Sequence, residues 1–231
     1  MKRVEKINGP VRVQHAFMSV ADKAGLDEMV PQLVAACPQI MIYSTGGTYK
    51  KVVEILGDGA PKHVMEVSAY TGMPETKGGL VKSLHHKLFL GYLTEDYSED
   101  HQADLAREGA YPIELLVGNF YPFEQTVKKE GTDPEDWRMN IDIGGPSALA
   151  AAAKNWHRVA VVTDPSDYAR ILDELKSHGG CTTARTRFEL SQKAWDALGR
   201  YRTAIAQAMA GVSFDEAIKP YEVVGLAGGG E

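Results

Sequence analysis

Residues 39–56 read Gln39-Ile-Met-Ile-Tyr-Ser-Thr-Gly-Gly-Thr-Tyr-Lys-Lys-Val-Val-Glu-Ile-Leu56, and three kinds of structure follow one another within them. Gln39 to Tyr43 is a short apolar run, which predicts a buried strand. Ser44-Thr-Gly-Gly-Thr48 is a turn, and a helix is expected from there to about Leu56. A strand handed to a helix through glycines is the building unit of parallel α/β sheets. The pattern continues on either side. His15-Ala-Phe-Met-Ser-Val20 predicts a strand, and Gly25 to Ala36 then places Leu26, Met29, Val30 and Leu33 on one helical face. His63 to Val67, Ile113 to Asn119 and Arg158 to Val162 predict three further strands. Helices are expected over Glu99 to Glu108 and, in an alanine-rich run, from about Pro146 to Asn155. This alternation predicts an α/β fold, a parallel sheet with helices on both faces.

After Asp164-Pro165 the pattern changes. Ser166 to His178, about Thr182 to Leu198 and a stretch ending near Ala210 all read as helices. The expected organisation is an N-terminal extension over residues 1–14, an α/β core over 15–164, a helical extension of the same domain over 165–222 and a glycine-rich flexible tail over 223–231. A chain of 231 residues, 44% of them hydrophobic, can bury one substantial core. A net charge of −6 leaves no excess of cations to neutralise a nucleic-acid backbone, so an anionic ligand would need positive charge gathered locally in a pocket. No apolar run approaches the roughly 20 residues that span a bilayer. Met1 to Pro10 lacks the apolar stretch of a signal peptide. Two cysteines, Cys37 and Cys181, are too few for a disulfide framework or a zinc site. The expectation is a cytoplasmic protein without nucleic-acid or membrane partners.

Two loops could carry chemistry. In Ser44-Thr-Gly-Gly-Thr48 the glycines let the backbone approach a ligand, amides at a helix N-terminus point at an anion, and the hydroxyls of Ser44, Thr45 and Thr48 add donors. A turn with a helix cap explains the same residues. No Gly-Lys-Ser/Thr follows, so this is not a Walker loop. In Asp142-Ile-Gly-Gly-Pro-Ser147, Pro146 suits a first helical turn, Gly144 and Gly145 free backbone donors, and Asp142 or Ser147 could be caps or ligand contacts. Open sheets bind ligands outside the carboxyl ends of their strands, where both loops would lie. Lys82 and Lys154 read from spacing alone as surface lysines, Lys154 also offsetting a helix dipole. Asn119-Phe-Tyr-Pro-Phe123 closes the fourth strand, and its aromatic rings, Phe123 included, suit either packing or stacking on a planar heterocycle. His85-His86 has no evident carboxylate partner, and no metal is expected.

Seven motifs in order then carry a resemblance: Ser19-Val-Ala-Asp-Lys-Ala-Gly-Leu26, Ser44-Thr-Gly-Gly-Thr48, Tyr70-Thr-Gly-Met-Pro-Glu75, Gly79-Leu-Val-Lys-Ser-Leu-His85, Asn119-Phe-Tyr-Pro-Phe-Glu-Gln-Thr126, Asn140-Ile-Asp-Ile-Gly-Gly-Pro-Ser147 and Ala151-Ala-Ala-Lys-Asn155. From about His15 to Ala210 the chain resembles the inosine-monophosphate (IMP) cyclohydrolase domain of bifunctional purine biosynthesis proteins. The resemblance implies a methylglyoxal-synthase-like fold. It also implies closure of the purine six-membered ring of a formamido-imidazole carboxamide ribonucleotide with loss of water, without metal, cofactor or folate. By position Lys154 matches a lysine treated as proton donor or acceptor, and Lys82 a second active-site lysine. Asp142 and Tyr121 match polar groups beside the reacting atoms. Ser19, Lys23, Thr45, Gly46, Gly47, Thr48, Ser83, Asn119 and Ile143 match nucleotide contacts. A homodimer is expected, with a separate AICAR formyltransferase as the source of substrate.

Departures from the family pattern fall on one side of the implied pocket. Leu80 stands where the family has arginine, Ser83 where it has threonine, His86 where it has proline, and Ala21 where it has serine. Phe89-Leu90 also differ. Leucine cannot mimic a guanidinium fork, a loss worth roughly 1.5–3 kcal/mol, and Lys77 or Lys87 are the nearby cations that could compensate. Two other readings stay open: a related lyase such as methylglyoxal synthase, and a purine-nucleotide-binding module without turnover.

Overall fold

The computed structural model describes residues 3–121 and 123–225. The chain forms, in order, β1 (Val11–Arg12), β2 (His15–Val20), α1 (Leu26–Ala36), β3 (Met41–Ser44), α2 (Gly46–Leu56), α3 (Ala60–His63), β4 (Val64–Glu66), α4 (Val67–Thr71), α5 (His86–Leu93), α6 (Glu99–Glu108) and β5 (Leu115–Asn119). It continues with α7 (Phe123–Lys128), α8 (Pro134–Met139), α9 (Gly144–Lys154), β6 (Ala160–Val162), α10 (Tyr168–Ser177), β7 (Cys181–Thr182), α11 (Ala184–Ala210) and α12 (Phe214–Ile218). Two compact units result. The first comprises residues 1–120 and 143–198, the second residues 121–142 and 199–231.

The first unit is built on a five-stranded sheet of order β4-β3-β2-β5-β6, parallel throughout. Side chains alternate across it, as the two-residue period of a strand requires. Ala16, Met18, Val20, Leu115 and Val117 face one core with Leu26, Met29 and Leu33 of α1 and Ile171 and Leu175 of α10. Phe17, Tyr43, Leu116 and Val161 face the other, with Leu88 and Tyr92 of α5 and Ala148, Leu149 and Ala152 of α9. The expected parallel sheet with helices on both faces, the methylglyoxal-synthase-like arrangement, is therefore present. Strand order reverses at β2, which pairs with β3 on one side and β5 on the other. That is the switch point at which sheets of this type open a crevice beyond their carboxyl ends.

Several expected boundaries shift. The strand expected over residues 63–67 is only Val64–Glu66, because His63 closes the helix begun by Ala60-Pro61 and Val67 opens another. The two helices expected after residue 182 are one, Ala184–Ala210. It runs through Gly199 because an isolated glycine costs a helix only about 1 kcal/mol and no proline interrupts it. Residues 165–198 are not set apart from the sheet, since Tyr168, Leu172 and Leu190 belong to its core. Val11 pairs with Thr182 in a two-stranded antiparallel ribbon, which ties residues 11–12 to β7. The expected tail falls largely outside the described residues, which end at residue 225.

The second unit contains α7, α8, α12 and the end of α11. Asp133 caps α8 reciprocally with Asp136, and Ser213 caps α12 in the same way with Glu216. Among the described residues no helix is long and apolar enough to cross a membrane.

Candidate functional site

The turn between β3 and α2 shows which hydroxyls build the loop and which groups stay open. Ser44 Oγ donates to the Met18 carbonyl at 2.7 Å. Thr48 Oγ1 donates to the Val20 carbonyl and accepts from its amide, both at 3.1 Å. These two hydroxyls fasten the turn to β2. Thr45, buried and extended (φ −125°), stands at the helix cap, and Gly46 follows with φ +50°, a left-handed value that glycine adopts without strain. The first amides of α2, those of Gly46, Gly47 and Thr48, have no carbonyl partner within the helix, as at any helix start, and are available as donors.

Two lysines converge on this helix start. A β-carbon built on Gly46 would lie 3.4 Å from Lys82 Nζ, and one on Gly47 would lie 3.7 Å from Lys23 Nζ. Lys23 comes from the loop after β2, where its ammonium also donates to the Ala21 carbonyl at 3.4 Å. Asn119, the last residue of β5, braces that loop. Its Oδ1 accepts from the amides of Ala21 (2.7 Å) and Asp22 (3.0 Å), and its Nδ2 donates to the Asp22 carbonyl at 3.2 Å. Ser19, half-buried, pairs in register with Gly118 on the same strand pair. Loops from β2, β3 and β5 thus meet at the switch point, with two cations above a helix N-terminus.

Lys82 arrives from the segment between α4 and α5, with Glu75 Oε2 at 3.8 Å from its ammonium. Glu75 closes the Tyr70–Glu75 motif but carries no expected role, because the segment joining it to Lys82 is a loop, where no helical or strand period says which side chains meet. Ser83, half-buried, follows Lys82, and its carbonyl accepts from the His85 amide at 3.1 Å. His85 caps α5, its Nδ1 accepting from the Lys87 amide at 3.2 Å. Burial, then the nearby Lys87 and His86, lower its pKa below the usual histidine value. Leu80 is 85% exposed. The Lys87 ammonium lies over the Tyr70 ring (5.6 Å) and donates to the Tyr70 carbonyl at 3.5 Å. Among the described residues no group of three or more His, Cys, Asp or Glu gathers that could hold a metal ion.

Helix α9 separates two groups of expected residues. Its N-terminus carries Gly144 and Gly145, with exposed Ile143 at the cap and the Ser147 amide donating to the Ile143 carbonyl at 3.1 Å. Lys154 stands at the other end, ten residues or about 15 Å along the axis. Because α9 runs back from the carboxyl end of β5 to the amino end of β6, Lys154 lies at the opposite sheet edge from Gly46. There it lines a cleft of about 1000 Å³ with Arg3, Lys6, Glu95, His101 and His157. Its neighbour Asn155 is buried, donating to the carbonyls of Tyr92 (2.7 Å) and Thr94 (2.9 Å).

Tyr121, Phe123 and Asp142 belong to the second unit, and Tyr121 and Asp142 are the residues at which the chain enters and leaves it. Tyr121 is 54% exposed, whereas Phe123 is 1% exposed and meets the Tyr201 ring edge-on at 6.4 Å. The Asp142 amide donates to Tyr201 Oη at 2.7 Å. Within that unit a second cleft of about 510 Å³ lies between α8 and α12, lined by Trp137, Val212 and Lys219 among others.

The family model described as "AICARFT/IMPCHase bienzyme" matches residues 152–225. The bifunctional purine biosynthesis protein PurH of Chlorobaculum parvum is 42% identical over 198 residues, 86% of this chain and 36% of that protein. PurH of Bradyrhizobium diazoefficiens is 44% identical over 197 residues, 85% of this chain and 36% of its own length. The chain therefore spans about a third of the curated relatives it matches. A solved structure described as "Crystal structure of ForH" superposes with a TM-score of 0.72 at 28% identity, covering 85% of this chain and 99% of that one.

Proposed function

We propose, from the similarity to the AICARFT/IMPCHase bienzymes over about 85% of this chain, that it is an IMP cyclohydrolase, closing the formylated imidazole carboxamide ribonucleotide to inosine monophosphate with release of water. The observation that carries the reading is the convergence of Lys23 and Lys82 on the open amides of Gly46 and Gly47. In a protein of net charge −6, that gathering of positive charge suits a phosphorylated anion.

The chemistry follows from what ring closure demands. The carboxamide nitrogen, a weak nucleophile, attacks the formyl carbon. A C–N bond forms as the carboxamide nitrogen gives up one proton and negative charge grows on the formyl oxygen, which is protonated. The C–O bond then breaks as the formamido nitrogen releases its own proton and forms the ring C=N bond, so the oxygen leaves with two protons as water. Lys23 with Gly46, Gly47 and Thr48 takes the phosphate in this proposal. Lys82 adds its charge to the binding of the anionic nucleotide beside Gly46 and supplies the ammonium that stabilises the developing oxyanion. By their match to the family pattern, Asp142 takes the role of accepting the amide proton and Tyr121 that of a proton relay. Ser44 and Asn119 act by holding the loops, Ser19 and Ser83 by flanking the nucleotide. Holding nucleophile and electrophile of one molecule in attacking geometry removes several kcal/mol of barrier, roughly 7–11 in the most favourable cases. A homodimer, a cytoplasmic location and a formyltransferase that supplies the substrate complete the proposal.

The test is an absorbance assay with the formylated ribonucleotide, following inosine monophosphate. Turnover should fall about 10²- to 10³-fold in Lys82→Ala, the loss typical of one oxyanion donor. Tight binding of inosine monophosphate without turnover would instead make this a nucleotide-binding relative. Turnover of dihydroxyacetone phosphate would identify a methylglyoxal synthase.

A further inference from the structure

The segment that delivers Lys82 is a closed loop. The Val81 amide donates to Thr76 Oγ1 at 2.7 Å, Thr76 Oγ1 donates to the Val81 carbonyl at 3.3 Å, and the Thr76 amide donates to the same carbonyl at 3.4 Å. The Gly79 amide closes the inner turn onto the Thr76 carbonyl at 2.9 Å. Glu75 and Lys82 flank this clasp on its two sides, which is why their charged ends come within 3.8 Å.

Two adjacent glycines make the turn, and both are left-handed: Gly78 at φ +72° and Gly79 at φ +70°. Their surroundings differ. A β-carbon on Gly78 would meet nothing within 4 Å. One on Gly79 would lie 2.4 Å from Lys82 Cε and 2.9 Å from Nζ, inside the space the lysine stem occupies on its way to Gly46. We infer that Gly79 is a positioning residue for Lys82: its bare Cα is the floor across which the stem passes to bring the ammonium over the start of α2. Backbone strain from an alanine should be similar at either glycine, because the left-handed conformations match. Only at Gly79 does the methyl also displace the lysine. The end of a flexible stem moves more readily than a backbone, so the loss falls on the site rather than on the fold.

The inference rests on the cyclohydrolase reading for its kinetic arm alone. The test compares Gly78→Ala, Gly79→Ala, Lys82→Met and the double variant Gly79→Ala/Lys82→Met, in the full chain. Each is measured for the dissociation constant of inosine monophosphate, for KM and kcat with the formylated ribonucleotide, and for thermal midpoint. Gly78→Ala and Gly79→Ala should lose similar amounts of thermal stability. Gly79→Ala alone should weaken nucleotide binding or raise KM by about 10-fold or more, as expected for one lost charge-assisted hydrogen bond. In the Lys82→Met background the Gly79 substitution should add no further loss, the non-additivity of two residues acting through one group. Equal effects of the two alanines, or a full additional loss on top of Lys82→Met, would overturn the positioning role. Wild-type protein that binds the nucleotide without turning over, yet follows this pattern in affinity, would sink the cyclohydrolase reading and support the inference.

Discussion

Lys82 and Lys154 are the two lysines that the family resemblance brings into one reaction, and the fold gives them different surroundings. Lys82 stands over Gly46 with Glu75 beside it. Lys154 ends α9 at the amino edge of the sheet, in a cleft shared with Lys6, Glu95 and His157. A charge at the opposite edge of the sheet from Gly46 contributes little to the affinity of an anion bound there, because the Debye length at physiological ionic strength is only about 8 Å. Lys154→Ala should therefore leave the dissociation constant of inosine monophosphate within about twofold of wild type, while Lys82→Ala should weaken it about 10-fold or more. Titration calorimetry on the two variants makes the comparison directly. Equal losses would mean that Lys154 reaches the phosphate loops by a route that the single chain does not provide. The measured quantity is affinity rather than turnover, so the two lysines are separated even if both prove necessary for rate.

At the scale of elements, two buried arginines hold chain ends that the hydrophobic pattern leaves loose. Arg187 of α11 is fully buried and directs its donors to five backbone carbonyls: Asn8 (2.7 Å), Gly9 (3.0 Å), Trp156 (3.2 Å), His157 (3.1 Å) and Thr182 (2.6 Å). It joins the N-terminal segment, the approach to β6 and the end of β7. Arg158 does likewise for the C-terminus of α5, reaching the carbonyls of Gly91 and Thr94. Arg187→Met should cost about 3–5 kcal/mol in urea unfolding, since the carbonyls stay buried and lose their donors. A loss below about 1 kcal/mol would show that water replaces the guanidinium. Neither arginine was legible in the sequence, where arginine reads as surface, because the five acceptors come together only after folding. The apolar stripe of α1 and the alternation of β2 were legible, since periodicity alone sets which side chains face the sheet. The site divides along the same line. Gly46 and Gly47 announced a helix start, but Ser44 and Thr48 could serve ligand or backbone equally well until the neighbouring carbonyls of β2 were in place. Lys23 and Lys82 stood out by resemblance alone, because 59 residues of chain separate two side chains that end beside one loop.

Across the whole molecule the amino edge of the sheet carries a titratable centre that no proposed step uses. Glu114 is 6% exposed, and its Oε2 accepts from the amides of Gln14 (3.0 Å) and His15 (2.8 Å) where β2 begins. Its carbonyl accepts from the Ala160 amide at 2.8 Å, so one residue stitches three strands. Burial pushes its carboxyl up to about 7, against the pull of those amides and of Arg158. His15, stacked between Tyr43 and Tyr111, is held below the usual histidine value by its own burial. The two groups oppose each other. Between about pH 4.5 and 7 the native state holds a proton on Glu114 that the unfolded chain has released, so this group's contribution to stability falls as pH rises. Below about pH 6.5 the unfolded chain protonates a histidine that the native state keeps neutral, so the contribution of His15 rises with pH. Glu114→Gln keeps an oxygen for both amides and removes one titration. Its stability relative to wild type should increase from pH 5 to pH 8, by up to about 3 kcal/mol for a shift of this size. Urea unfolding followed by tryptophan fluorescence measures this, with Trp137→Phe in both backgrounds so that the signal comes from Trp156 and Trp195 of the first unit. A difference between variant and wild type that stays constant across that range would mean that Glu114 is ionised in the folded protein throughout, with its charge balanced by Arg158.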